Sequence, residues 1–154
     1  MRVIVKPGHF IIVTAGAEGD HTLTAFDKCL LKAGIGNVNL VRISSILPPG
    51  CLEEEKGIDF PPGAFVPTAY GAANSEKKGE LIAAAVGIGF SEDSFGVIME
   101  HAGCCSAETA RSKVEKMITE AFAYRGLALK DMKVKAVEHR VEKAGSVVAA
   151  VALW

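Results

Sequence analysis

Asn37-Val38-Asn39-Leu40-Val41-Arg42-Ile43-Ser44-Ser45-Ile46-Leu47-Pro48-Pro49-Gly50 reads as a strand that runs into a serine pair and then a double-proline turn. The Val, Leu and Ile content of Asn37 to Ser44 favours extended backbone, and neither proline can donate to a ladder. Before it, Leu23, Phe26, Leu30 and Ala33 recur at helical spacing, so a helix is expected from Asp20 or Thr22 to Gly34. A first strand is expected at Phe10 to Thr14, with Gly16 and Gly19 loosening the backbone after it.

Beyond the double proline, Cys51 to Gly63 is polar and punctuated by Pro61-Pro62-Gly63, which predicts an exposed connection. Ala64 to Ala73, Leu81 to Phe90 and Phe95 to Ala102 read as three strands whose nearly continuous apolar character implies burial on both faces. Ser106 is the expected N-cap of a long helix that buries Ala110, Val114, Met117, Ile118, Ala121 and Phe122 and stops at Gly126. A strand near Met132 to Val141, a turn at Lys143-Ala144-Gly145 and a strand from Ser146 to Trp154 complete the pattern. Two long helices with several mostly hairpin-linked strands indicate a layered α+β fold. No internal repeat or linker divides the chain, so residues 1–154 are expected to form one domain.

Composition narrows the function. Seventeen Lys+Arg against eighteen Asp+Glu leave a net charge of -1, too even a balance to gather nucleic acid or an anionic membrane. The apolar stretches are broken well short of a membrane span, and Met1 to Pro7 lacks the apolar core of a secretory signal. A soluble cytoplasmic protein acting on small polar molecules is therefore expected. Cys29, Cys51, Cys104 and Cys105 are too unevenly spaced for a disulfide framework and are expected as buried or partly buried free thiols. A mean hydropathy of +0.27 is high for a monomer and points to self-association.

The serine pair carries the chemistry. Ser45 Oγ can attack the Ser44 carbonyl, turning the amide into an ester, provided the fold holds that bond unfavourably and a donor meets the developing oxyanion. Elimination would free Ser44 as a new C-terminus, and hydrolysis of the resulting dehydroalanine would leave a pyruvoyl group at position 45. Such a carbonyl is an electron sink for amino-acid decarboxylation, and the chemistry then calls for an acid that reprotonates the α-carbon. Taken as a dipeptide, Ser-Ser before Pro-Pro equally describes a strand entering a turn.

Wider context adds to this. Thr24-Ala25-Phe26-Asp27, Gly34-Ile35-Gly36-Asn37-Val38-Asn39-Leu40, Ile43-Ser44-Ser45-Ile46 with Pro48-Pro49, and Gly96-Val97-Ile98-Met99-Glu100 resemble the pyruvoyl-dependent arginine decarboxylases of archaea and some bacteria. Val137-Glu138-His139-Arg140-Val141 with Ala149-Ala150-Val151 is similar too. The resemblance spans nearly the whole chain. It implies an αββα sandwich, autocatalytic cleavage of a zymogen between Ser44 and Ser45 into residues 1–44 and 45–154, and a pyruvoyl cofactor derived from Ser45. It further implies conversion of L-arginine to agmatine and CO2, the entry to polyamine synthesis, by a homotrimer with active sites between subunits. By the same resemblance Asn39 assists processing, Glu100 donates the proton and Asp27 receives the substrate guanidinium. Gly36 and Val38 offer backbone groups to the substrate.

Plainer readings stand beside these. Asp27 could face water or pair with Lys28, and Asn39 could be an outward strand residue. Glu100 sits inside an apolar run, so it either leaves the sheet or has its acidity altered by burial. His101, Cys104 and Cys105 read as packing residues, because no second ligand pair exists at metal spacing. Val86-Gly87-Ile88-Gly89 reads as strand glycines and not as a dinucleotide loop. A decarboxylase of another amino acid and a non-catalytic assembly or regulatory homologue are the competing functions.

Overall fold

The computed structural model describes residues 6–154, so most of the Met1 to Pro7 reading lies outside the described residues. In chain order run β1 (His9–Gly19), α1 (Thr22–Lys32), β2 (Asn39–Arg42), β3 (Ile46–Leu47), β4 (Leu52–Glu53) and β5 (Phe65–Ser75). They are followed by β6 (Leu81–Phe90), β7 (Gly96–Gly103), α2 (Ala107–Arg125), β8 (Asp131–Arg140) and β9 (Ala144–Leu153). The first sheet has the order β2-β5-β9-β1-β4 and the second β3-β7-β6-β8. Pairing is antiparallel except for β1 with β4 and β2 with β5.

Period-two alternation on buried strands builds the layers. Ile82, Ala84, Val86 and Ile88 of β6 meet Val147, Ala149 and Val151 of β9 between the sheets. Ala83 and Ala85 face Val114, Ile118 and Phe122 of α2 on the far side. On the first sheet, Val148, Ala150 and Ala152 of β9 pack with Cys29 of α1, Ala33 and Ile35. Helix, sheet, sheet, helix is the result, as the resemblance implies. Gly87 and Gly89 are strand glycines with a packing role: a Cβ on Gly89 would lie 2.5 Å from Ile118 Cγ2 and Phe122 Cε2. Their bareness lets α2 seat on β6.

Several expectations need correction. The buried face of α1 is Ala25 and Cys29, with Ala33 beyond it buried as expected, while Leu23 is 75% exposed and Phe26 and Leu30 are half-buried. Small residues at the centre let the helix approach closely, since a Cβ on Gly19 would sit 2.7 Å from Ala25 N. β1 extends through Gly16 to Gly19 because β9 pairs with it all the way to Gly19↔Ala144. The connection after Gly50 is not wholly exposed: it contributes β4 and buries Phe60, whose ring meets Trp154 edge-on at 5.4 Å. Cys104 is an exposed thiol that donates to Glu80 Oε1 at 3.2 Å, not a packing residue.

The linkage is also less hairpin-like than expected. Only β6 and β7 are consecutive partners within one sheet, whereas β5 to β6 and β8 to β9 pass between sheets. The β8–β9 crossing is pinned by Glu18, whose carboxylate accepts from the backbone N–H groups of Glu142 (3.0 Å), Lys143 (3.0 Å) and Ala144 (3.2 Å). His139 Nε2 lies 2.6 Å from the same carboxylate. Burial alone would raise the Glu18 pKa, but the backbone donors of Glu142 and Lys143, with His139, outweigh it and hold it at about 2.

Candidate active site

The serine pair lies at another crossing between the sheets. β2 is an edge strand of the first sheet and β3 an edge strand of the second, and only Ile43, Ser44 and Ser45 separate them. Ile43 N still donates to Thr68 O on the first sheet at 3.1 Å. Two residues later, Ser45 O already accepts from Ile98 N on the second at 2.7 Å. The strand reading of Asn37 to Ser44 thus holds only for Asn39–Arg42, because the chain must leave one ladder to join the other.

Exposure alternates through the crossing. Ile43 is half-buried against the inter-sheet core, Ser44 is exposed, Ser45 is half-buried, Ile46 is exposed and Leu47 is buried in that core. Ser45 therefore sits between two inward-packing neighbours at the rim of the core. Among the described residues no non-glycine has a positive φ, so the bend is made without left-handed backbone at either serine. No described residue donates to the Ser44 carbonyl.

Glu100 approaches the same crossing from β7. Ile46 pairs with Val97 and Leu47 with Gly96, so continuing that antiparallel register carries Ser45 past Ile98 and Ile43 past Glu100. Glu100 shares a strand face with Ile98, which belongs to the inter-sheet core. It also lies against Gly71 of β5, where an added Cβ would be 3.5 Å from Glu100 Cβ and Cγ. The carboxyl is half-buried and has no hydrogen-bond partner among the described residues. Burial raises its pKa, and Arg42 opposes the rise. A carboxyl so placed keeps its proton more readily than one in water.

Arg42 and Tyr70 are site neighbours that the sequence reading did not single out. Arg42 Nη1 donates to Tyr70 O at 2.8 Å, and the guanidinium carbon stands 3.9 Å above the Tyr70 ring. That ring in turn lies 6.4 Å from Phe26 of α1. A lone cation on an apolar strand just before the serines was the available signal.

The other expected site residues form a separate group. Asp27 is exposed on α1 and has no ion pair among the described residues, so the pairing with Lys28 is not formed. Gly36 and Val38 lie in the loop from α1 to β2. An added Cβ on Gly36 would be 2.6 Å from Leu31 Cδ2, so its bareness serves local packing. Asn39 is exposed at the start of β2 and its Nδ2 donates to Gly63 O at 3.0 Å. The strand Asn39–Arg42 carries the chain away from it, and five residues of chain set the separation from Ser44 at no more than about 15 Å. Within one chain the register sets Ser44 and Ser45 beside the Ile98–Glu100 stretch of β7, whereas Asp27 lies on α1 and Gly36, Val38 and Asn39 lie before and at the start of β2.

Two surface hollows of about 420 Å³ each, one along α2 at Glu115 to Ala123 and one beside Lys56 to Asp59, contain neither Ser45 nor Glu100. Among the described residues no helix is long and apolar enough to cross a membrane.

Comparison with known proteins gives this site its context. The family model for pyruvoyl-dependent arginine decarboxylase matches residues 9–154. The chain is 46% identical over 150 residues to the pyruvoyl-dependent arginine decarboxylase of Methanocaldococcus jannaschii, covering 96% of this chain and 90% of that one. It is 44% identical over 154 residues to the protein of that name from Pyrococcus horikoshii, covering 97% of each. The Methanococcus maripaludis C5 protein of the same name is 40% identical over 152 residues, covering 96% of this chain and 91% of that one. A layered αββα sandwich matched in this way along nearly its whole length places the chain among the decarboxylating lyases. It belongs to the pyruvoyl-dependent arginine decarboxylase family, whose name indicates a pyruvoyl prosthetic group.

Proposed function

We propose that this chain cleaves itself between Ser44 and Ser45 and then decarboxylates L-arginine to agmatine and CO2. The observation that carries the reading is the position of the Ser44–Ser45 peptide, strung between two sheet edges beside a half-buried acid, in a chain matched to the family over residues 9–154. Relatives named for arginine decarboxylation support the substrate.

Processing uses the chain's own groups. Ser45 Oγ attacks the Ser44 carbonyl carbon, the amide C–N bond breaks, and the hydroxyl proton passes to the freed nitrogen of residue 45. Loss of the α-proton of residue 45 and of the Cβ–O bond then releases the Ser44 carboxylate and leaves dehydroalanine. Water hydrolyses its imine form to ammonia and the pyruvoyl. The hydrogen bond from Ile98 N holds the residue 45 carbonyl in register throughout, so the site fits the group without rearranging β3. When present, the pyruvoyl supplies an electron sink as the substrate carboxylate departs.

The remaining residues bind and move protons. Glu100, whose burial favours the protonated form, delivers a proton to the α-carbon of the decarboxylated substrate. Asp27 receives the substrate guanidinium through a bidentate pair, a geometry suited to a fixed carboxylate. Gly36 and Val38 supply backbone contacts. Because Asp27 and Asn39 lie apart from the serine pair of their own chain, they serve the site of a neighbouring copy in a cytoplasmic homotrimer. Asn39 then meets the oxyanion, for which no described residue of the same chain supplies a donor. Four free cysteines suit a reducing compartment.

The reading is tested by combining intact mass with ¹⁴CO2 release from labelled arginine. Two chains, a pyruvoyl on the larger and arginine-dependent CO2 support it. Cleaved protein that releases no CO2 from arginine would remove the substrate assignment.

A further inference from the structure

We infer that Arg42, anchored on the carbonyl and ring of Tyr70, is a positioning residue that governs the ionisation of Glu100. This rests on the reading of Glu100 as the proton donor but concerns a residue that the reading does not use. Arg42 pairs in register with Thr68 on β5, and its side chain runs two residues along that strand to donate to Tyr70 O at 2.8 Å. The same carbonyl belongs to the Tyr70–Gly71 peptide, and Gly71 is the residue against which Glu100 lies. Guanidinium and carboxyl therefore flank one peptide unit.

The anchor explains why the two do not collapse into an ion pair. Stacking at 3.9 Å over the Tyr70 ring and the hydrogen bond to its carbonyl occupy the guanidinium, and no salt bridge within 4.0 Å joins it to Glu100. A direct pair would fix Glu100 as carboxylate and empty it of the proton it must give. A guanidinium held at arm's length instead offsets part of the burial effect.

Other charges around Glu100 are few. On β6 the opposite residue is Val86, and on β5 the facing residue is Gly71. His101, its neighbour on β7, points to the other side of the sheet, where Lys113 of α2 acts on it. Among the described residues Arg42 is the charge that bears on Glu100.

The test titrates Glu100 directly by ¹³C NMR of protein labelled at glutamate Cδ, with the resonance identified by its loss in Glu100→Gln. Full-length chains carrying Ser45→Ala are compared with and without Arg42→Gln, so that no difference in cleavage enters. Arg42→Gln is expected to raise the midpoint, and Arg42→Lys, which keeps the charge, to stay nearer the parent. Coincident midpoints for parent and Arg42→Gln overturn the inference. In processed enzyme, the high-pH fall of the decarboxylation rate is expected to follow the midpoint. A midpoint that moves without the rate profile leaves Arg42 acting on Glu100 and removes Glu100 as the donor, which is a failure of the underlying reading alone.

Discussion

At the scale of single residues, the proposed chemistry is divided between Ser45 and Glu100. Ser45→Ala is expected to leave one continuous chain without a reactive carbonyl, read by intact mass. Glu100→Gln is expected to cleave normally yet lose about a hundredfold or more in turnover, and full turnover in that variant would end the proton-donor role. The pH dependence has a definite sign. Burial raises the Glu100 pKa, so if its proton is the one transferred, the rate is expected to fall as pH rises through that value. The same shift means that the folded state holds this proton more tightly than the unfolded chain. Its contribution to stability is therefore present at low pH and fades as pH rises, so Glu100→Gln is expected to melt no lower than wild type at alkaline pH. Residue type alone does not single out Ser44, Ser45 and Glu100, since the serine pair equally describes a strand entering a turn; the resemblance over the wider chain is what joins them. Arg42 and Tyr70 were not legible in the sequence, since their meeting depends on the parallel pairing of β2 with β5, which no local pattern reports.

Among the elements, helices and strands were legible from periodicity, while their partners were not. A strand, a turn and a strand read alike whether the second strand pairs with the first or joins another sheet, so the pattern from β8 to β9 does not by itself reveal a crossing. What distinguishes it is a remote side chain, Glu18, collecting the turn's amides. Replacing Glu18 with Ala is expected to cost about 2 kcal/mol in urea unfolding. Because its pKa falls from 4.5 to about 2 on folding, its stabilisation is complete above 4.5 and disappears as pH drops through that window. Glu18→Gln is expected to flatten the stability profile there, and an unchanged profile would count against the clamp. The rotation of α1 was missed for a related reason: Ala25 and Cys29 are buried only because the helix sits close to β1. Gly89→Ala tests the corresponding contact of α2, with a loss of about 1 to 3 kcal/mol expected from overpacking against Ile118 and Phe122.

For the whole molecule, the two sheets and the crossings between them set where chemistry can occur. The serine pair occupies a crossing between edge strands, where the peptide is tied at both ends but covered by neither ladder. The distance between this crossing and Asn39 predicts help in trans. Mixing unprocessed Asn39→Ala chains with Ser45→Ala chains through denaturation and refolding is expected to restore cleavage to the Asn39→Ala chains. No restoration in mixed assemblies would place Asn39 outside the oxyanion site. Sedimentation of the wild-type protein is expected to give a trimer. Mass spectrometry of aged, folded wild-type protein, treated with borohydride in the presence of arginine, reaches the proposed self-processing most directly. Two polypeptides, ending at Ser44 and beginning at residue 45, with arginine-derived mass trapped on the second, are expected; one intact chain with an unmodified Ser45 would contradict it.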